Sequence, residues 1–341
     1  MFSLSQLWYA TRWYHWVLII VLLPLSFLFA LISATRRQVF KLGIKLSSKV
    51  NAAVIIVGNI SVGGNGKTPL VVYLAQLLTE QGYRPGILTR CYGGKSELYP
   101  LQVKVDSLVA EVGDEPMLMI QHVTCPLVVD PVRARGAKYL VEQCLCDVII
   151  CDDGLQHYAL QRDVEIVVMD GHRRLGNQLL LPAGPLREGK WRLKSCDFIV
   201  TNGDLAQEGE YAMSLQPGDF ININDPQRRC KLSDMELAVT ALAGIGNPQR
   251  FFSLLAKYNI QMKQQLSFVD HHDFKASDLP VGRVLMTEKD AVKCRDFAHE
   301  DCWYLPVQAN LSEAFTEKLL TKLRCITNNS NGTNNNINNT N

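Results

Sequence analysis

The stretch AVIIVGNISVGGNGKTPLVVYLAQLL, residues 53–78, constrains the fold more than any other part of the chain. Its apolar run reads as a strand buried on both faces, and its last third as an amphipathic helix. The glycine-rich turn between them aims successive backbone N–H groups at one point and opens a helix there, which makes a site for phosphate oxygens. The phosphate-loop pattern GxxxxGK[ST] asks for glycine where Ser61 stands. The competing reading is a plain glycine turn with an incidental Gly-Lys-Thr, but the flanking strand and helix favour a nucleotide site. The residues expected to hold the nucleotide are Ser61, Val62, Gly63, Gly64, Asn65, Gly66, Lys67 and Thr68. Lys67 is expected on the β- and γ-phosphates of ATP, and Thr68 on Mg²⁺. Pro69 falls in the first helical turn, where a missing N–H costs nothing.

Further apolar runs at 86–89, 127–130, 147–152, 164–170 and 197–201 alternate with helical patterns such as 67–81 and 133–143. The alternation predicts an α/β fold of the P-loop type, a doubly wound and mainly parallel sheet. A polar, turn-rich passage from Gly203 to about Ser233 reads as a boundary, and a shorter α/β pattern follows it. The expected organisation is an N-terminal membrane-associated helix at 1–35, a nucleotide-binding domain at 36–205 and a smaller α/β domain at 206–326. An Asn-rich tail at 327–341 is too polar to bury a core and is expected to be disordered.

Mg²⁺ on a nucleotide commonly takes a carboxylate from the end of a buried strand. DVIICDDGLQH (147–157) supplies Asp152 and Asp153 in that position, against the bland reading of a solvated turn. Asp130 and Asp170 also end apolar runs, so the choice of carboxylate stays open.

Residues 16–34 carry no charge and are long enough to cross a hydrocarbon core. Trp8, Tyr9, Trp13, Tyr14 and Trp16 precede them as interfacial aromatics do, and Arg36, Arg37, Lys41, Lys45 and Lys49 follow. By the positive-inside tendency the rest of the chain is cytoplasmic. Four-residue spacing from Arg37 to Lys49, with Val39, Leu42, Leu46 and Val50 opposite, suggests a helix lying on anionic lipid. A buried core helix and a cleaved signal peptide are the competing readings. The signal peptide is weakened by a hardly basic leader and the lack of an A-x-A site.

A net charge of +2, with no basic run interleaved with aromatics, argues against a nucleic-acid partner. Ten scattered cysteines without a CxxC pair read as buried apolar residues in a reducing compartment rather than as metal ligands.

Segments SVGGNGKTP (61–69), TRCYGG (89–94), VGDEP (112–116), DDGLQH (152–157), LPAGPLRE (181–188), FVDHHDF (268–274) and MTEKDAVK (286–293) lie in one order. Together with the apolar N-terminal segment they resemble the tetraacyldisaccharide 4′-kinases, the lipid A 4′-kinases of bacterial envelope synthesis. Serine at the start of the loop is a trait of that family, whereas Cys91 stands where the family commonly has glycine. The resemblance implies transfer of the γ-phosphoryl group of ATP to the 4′-hydroxyl of an acylated glucosamine disaccharide 1-phosphate lipid. It implies a cleft between two domains at the cytoplasmic face of the inner membrane.

It also implies roles for single residues. Asp114 meets the acceptor hydroxyl together with a histidine of the second domain, His271 in preference to its neighbour His272. Glu115 positions metal or proton, and Arg187 and Glu188 contact nucleotide or substrate. Tyr92, Gln156 and His157 are carried over with them. Without the resemblance, each histidine reads as a surface or capping residue. A different class, a membrane-surface switch ATPase whose nucleotide controls partner binding, shares the loop core and the amphipathic membrane segment. Such proteins normally carry lysine directly before the paired glycines, where this chain has Val62.

Overall fold

The computed structural model describes residues 4–9, 12–203, 205–235 and 238–335. Helices α1 (Leu4–Tyr9) and α2 (Trp13–Lys41) come first. The nucleotide-binding half continues with β1 (Ala53–Gly58), α3 (Lys67–Glu80), β2 (Pro85–Thr89), β3 (Leu101–Gln102), α4 (Val109–Val112) and α5 (Asp114–Met119). It goes on through β4 (Leu127–Val129), α6 (Arg133–Glu142), β5 (Val148–Asp152), β6 (Val164–Asp170), β7 (Phe198–Asn202) and β8 (Tyr211–Pro217). The smaller part holds β9 (Phe220–Asn222), β10 (Arg229–Cys230), β11 (Val239–Ala243), α7 (Pro248–Lys257) and β12 (Met262–Ser267). It ends with β13 (Val284–Thr287), α8 (Glu288–Cys294) and β14 (Cys302–Leu305), after which come β15 (Val307–Leu311) and α9 (Glu313–Asn335).

Among the described residues the first sheet has nine strands, in the order β15-β8-β7-β6-β1-β5-β2-β4-β3. It is parallel from β8 to β4, with antiparallel strands only at its two edges. Strand β1 is buried on both faces, as its continuous apolar run requires. Ile55 and Val57 pack with Leu70, Leu74 and Leu78 of α3, while Val54 and Ile56 pack with Leu88 of β2 and Ala137 and Leu140 of α6. The chain runs from β1 to β2 and later returns to insert β5 between them, so the sheet's order reverses beside β1. Ligands in such sheets bind at the carboxyl ends of the strands flanking that point.

The second sheet has six strands in the order β10-β9-β14-β13-β11-β12. Its extent corrects the boundary expected at 205/206. Strand β8 lies in the first sheet, the chain crosses to the second only at Phe220, and it comes back at β15, which pairs with β8. The polar passage at 203–233 hid β8 because, of its side chains, only that of Met213 is fully enclosed. Helix α9 also belongs to the first domain, since Phe315, Leu319 and Leu323 are buried in the same core as Leu74. The smaller domain is therefore an insertion with its own cores around Phe252 and Phe274. Helix α9 runs on to Asn335, into the stretch expected to be disordered, and residues 336–341 lie outside the described part.

Helix α2 passes through Pro24 without a break and is long and apolar enough to cross a membrane. Trp16, Val17, Ile20, Val21, Leu25, Phe27, Leu31 and Ile32 are exposed, which is unlike a core helix. One edge docks on the body: Ser26 Oγ donates to Leu180 O at 3.0 Å and accepts from Ala183 N at 2.9 Å. The basic amphipathic helix expected up to Lys49 ends early, because α2 stops at Lys41 and Gly43 turns the chain at φ 72°. Lys45 and Lys49 lie beyond it, next to exposed Leu42, Ile44 and Leu46.

Phe315 is fully buried, with its ring centroid 5.4 Å from those of both Phe198 and Tyr211. Phe315→Ala is expected to destabilise the nucleotide-binding domain by about 3–5 kcal/mol, read as a lower denaturant midpoint. An α9 that belonged elsewhere would leave that midpoint unchanged.

Candidate active site

The loop after β1 keeps its shape through a bond of its own and contacts made from outside. Asn65 Nδ2 donates to Ser61 Oγ at 3.1 Å, and Asn202 Nδ2 of β7 donates to Asn65 O at 3.0 Å. Val62 N donates to Pro185 O at 2.8 Å. Gly66 has φ 90°, and a Cβ there would lie 2.1 Å from Asn202 Nδ2, so conformation and space both demand glycine. Ser61 is 3% exposed with its hydroxyl turned inward, so it braces Asn65 and does not line the cleft as the sequence suggested. Serine at that position thus has a mechanical reason. Val62, Gly63, Gly64, Asn65, Gly66, Lys67 and Thr68 all line a cleft of about 1020 Å³ shared by the two domains.

At the end of β5, Asp152 sits opposite Val57 of β1 in the strand register. Its Oδ2 accepts from Thr89 Oγ1 at 3.3 Å, while buried Oδ1 has no hydrogen-bond partner among the described residues. Burial, followed by the nearby Glu115 and Asp153 charges, pushes this carboxyl up to about 7. An orphaned buried oxygen is unfavourable unless a proton or a cation meets it. Arg133 fixes the turn by donating to Asp152 O at 2.6 Å and Asp153 O at 2.8 Å. Asp153 is paired, 3.2 Å from Lys67 Nζ and 3.1 Å from Arg187 Nη1. Burial works against its charge, but these two cations outweigh it and hold the carboxylate ionised. The other strand-end aspartates have partners too. Arg135 clasps Asp130 at 2.8 and 2.9 Å, and Arg250 of α7 reaches Asp170 from the smaller domain.

Across the cleft, Gly113 at φ 94° turns the chain into α5 and presents Asp114 at the helix start. Asp114 Oδ2 lies 3.0 Å from His271 Nδ1, 3.6 Å from Lys293 Nζ and 3.9 Å from Lys289 Nζ. Burial would raise this carboxyl, yet the bond with His271 and the two lysines hold it at about 2. His271 has φ 59°, a left-handed conformation that costs a side-chain-bearing residue on the order of 1 kcal/mol or more. Tyr92 covers the imidazole with ring centroids 4.7 Å apart. His272 faces away, bonded to Asp278 at 3.1 Å and stacked on Phe268 at 4.6 Å.

Glu115 is held by Lys289 at 3.0 Å. Gln156 lines the cleft and donates to Asn59 O at 3.1 Å and Glu188 Oε2 at 3.0 Å. Glu188 departs from the expected contact role. It is 3% exposed, away from the cleft lining, and engaged by Gln156, Tyr158 and Arg192. Arg187 does line the cleft. Lys289 and Lys293 stand within MTEKDAVK, where no local pattern marks a role for either. Their four-residue spacing puts both on one face of α8, and only the domain packing turns that face toward Asp114. His122 and Glu288, 2.7 Å apart, form a further polar contact across the same interface.

Comparison with known proteins identifies the family. A curated tetraacyldisaccharide 4′-kinase from Pseudoalteromonas atlantica is 62% identical over 302 residues, covering 89% of this chain and 99% of that protein. One from Tolumonas auensis is 49% identical over 325 residues, with 94% and 97% covered. A crystal structure described as the apo form of LpxK from Aquifex aeolicus in complex with ATP superposes with a TM-score of 0.75 at 30% identity, covering 90% of this chain and 99% of that one. The family model for tetraacyldisaccharide-1-P 4′-kinase matches residues 18–324, and the chain belongs to that family.

Proposed function

We propose that the protein transfers the γ-phosphoryl group of ATP to the 4′-hydroxyl of an acylated glucosamine disaccharide 1-phosphate. The observation that carries this reading is the Asp114–His271 pair, 3.0 Å apart, whose histidine lines the same cleft as the phosphate loop. A nucleotide switch has no use for a carboxylate–histidine pair opposite its phosphates, whereas a hydroxyl acceptor does.

In this reading the amides around Gly63–Lys67 and the Lys67 ammonium hold the triphosphate. Asp152 and Thr68 would hold Mg²⁺ together with the phosphates, since the unpartnered Asp152 oxygen suits a hard cation and Asp153 and Glu115 already face cations. Bound there, the ion would neutralise charge on the transferring group. Asp114 is ionised at neutral pH and takes the proton of the 4′-hydroxyl as its oxygen bonds to the γ-phosphorus. The bond from that phosphorus to the bridging oxygen breaks, and ADP keeps the electron pair. A carboxylate this acidic suffices because phosphoryl transfer is loose and asks mainly for alignment and charge neutralisation.

The acceptor is anionic as well as acylated, and the cleft fits both properties. Arg36 of α2, Arg90, Arg133 and His157 line it beside the apolar helix. Burial and the surrounding arginines depress His157 to about 4, which describes a cationic wall suited to a phosphate. With α2 in the bilayer and its basic end inward, the cleft opens at the cytoplasmic face of the inner membrane.

Two measurements test the assignment. Lys67→Ala is expected to lower lipid phosphorylation by roughly a thousandfold or more with the fold intact, followed as labelled phosphate from ATP in chloroform-extractable lipid. Asp114→Ala is expected to lower kcat roughly a hundredfold or more while ATP affinity changes little. Label released only as free phosphate by the native protein favours the switch ATPase instead.

A further inference from the structure

Lys289 is the cation on which the acceptor side of the cleft converges. Its Nζ lies 3.0 Å from Glu115 Oε1, 3.5 Å from Asp270 Oδ1, 3.9 Å from Asp114 Oδ2 and 3.4 Å from His271 Nε2. Glu115 and Asp114 belong to α5 of the nucleotide-binding domain, while Lys289, His271 and Asp270 belong to the inserted one. The side chain is 15% exposed and lines the cleft. Lys293, one turn on, also reaches Asp114, but Asp290, the His272 carbonyl and the Phe274 ring, which it also meets, belong to its own domain.

Resting on the kinase reading above, we propose that Lys289 is a positioning residue for the transfer. Together with ionised Asp114 it fixes which nitrogen of His271 carries the proton, and it cancels carboxylate charge that the γ-phosphate would otherwise meet. An ammonium has donors and no acceptor, so its contact to Nε2 requires a lone pair on that nitrogen. With Nε2 accepting, Nδ1 carries the proton and donates it to Asp114 Oδ2, as the acceptor-only carboxylate also requires. With Glu115 N donating to Asp114 Oδ1 at 2.9 Å, this holds the carboxylate in one orientation, and the hydroxyl meets a remaining lone pair. Three carboxylates, Asp114, Glu115 and Asp270, surround the ammonium. Without it they would oppose the approach of a polyanionic nucleotide. Burial alone would strip the lysine of its proton, but these carboxylates outweigh burial and raise its pKa, so the charge is present.

The test uses the full-length protein in detergent, with ATP and the disaccharide lipid, comparing wild type with Lys289→Ala, Lys289→Gln and Lys289→Arg. Lys289→Ala is expected to lower kcat roughly a hundredfold, while the Kd for a fluorescent ATP analogue stays within about threefold. Lys289→Arg is expected to recover at least about tenfold, and added ethylammonium to restore part of the Lys289→Ala rate in proportion to its concentration. In the Lys289→Ala background, Glu115→Gln is expected to raise the rate, because it removes a charge the lysine would have cancelled. A Lys289→Ala enzyme with near-native kcat overturns the proposal. So does a loss confined to ATP affinity, or a loss that neither arginine nor ethylammonium relieves, which marks a merely structural tie. Should the alanine variant fail to fold, the glutamine variant, matched in size, decides on the same kcat and Kd criteria. A wild-type protein that labels no lipid brings down the kinase reading itself, and this failure is distinct from every variant outcome.

Discussion

The pairing of β1 with β5 is the constraint on which the site depends. Val57 stands beside Asp152 in that register, so the phosphate loop and the carboxylate meet at the same height at the carboxyl end of the sheet. A slip of one residue would turn every side chain of β5 to the opposite face and remove Asp152 from the cleft. Both strands are completely buried, and packing on both faces holds the register. Asn202 of β7 extends the same logic: a strand further along the sheet reaches back to grip the loop at Asn65.

Much of this was legible in the residues, for physical reasons. An apolar run covered on both faces, a glycine turn and an amphipathic helix can be read locally, because every interaction that defines them lies within a few turns of chain. The aspartates ending β5 were legible for the same reason. Which of the four strand-end aspartates is free to meet a cation was not, since that depends on distant partners: Arg135 for Asp130, Arg250 for Asp170, and Lys67 and Arg187 for Asp153. Ser61 and Glu188 illustrate the limit in the other direction. Both stand inside motif segments, yet their side chains serve neighbouring residues and not the cleft.

The domain boundary was misplaced because polarity is a poor guide to an edge strand. Strand β8 has one face toward solvent and pairs on its outer side with β15, almost a hundred residues later, which no local pattern announces. The lysines of α8 are a similar case. Helical spacing gives their common face, but only the docking of one domain on another says what that face meets.

The way the smaller domain is threaded has a kinematic consequence. The chain leaves through Gly218 and returns through Pro306, and these two crossings lie side by side, joined by the bond from Gly218 N to Pro306 O at 3.0 Å. Two adjacent tethers resist twisting and sliding more than a swing, so a relative motion of the domain would be that of a door on a single jamb. Tyr92, Asp114 and Glu115 stay with the frame, while His271, Lys289 and Lys293 travel together on the door. A swing of that kind would part the proton acceptor from its partner in one stroke and so tie the readiness of the base to the angle of the hinge.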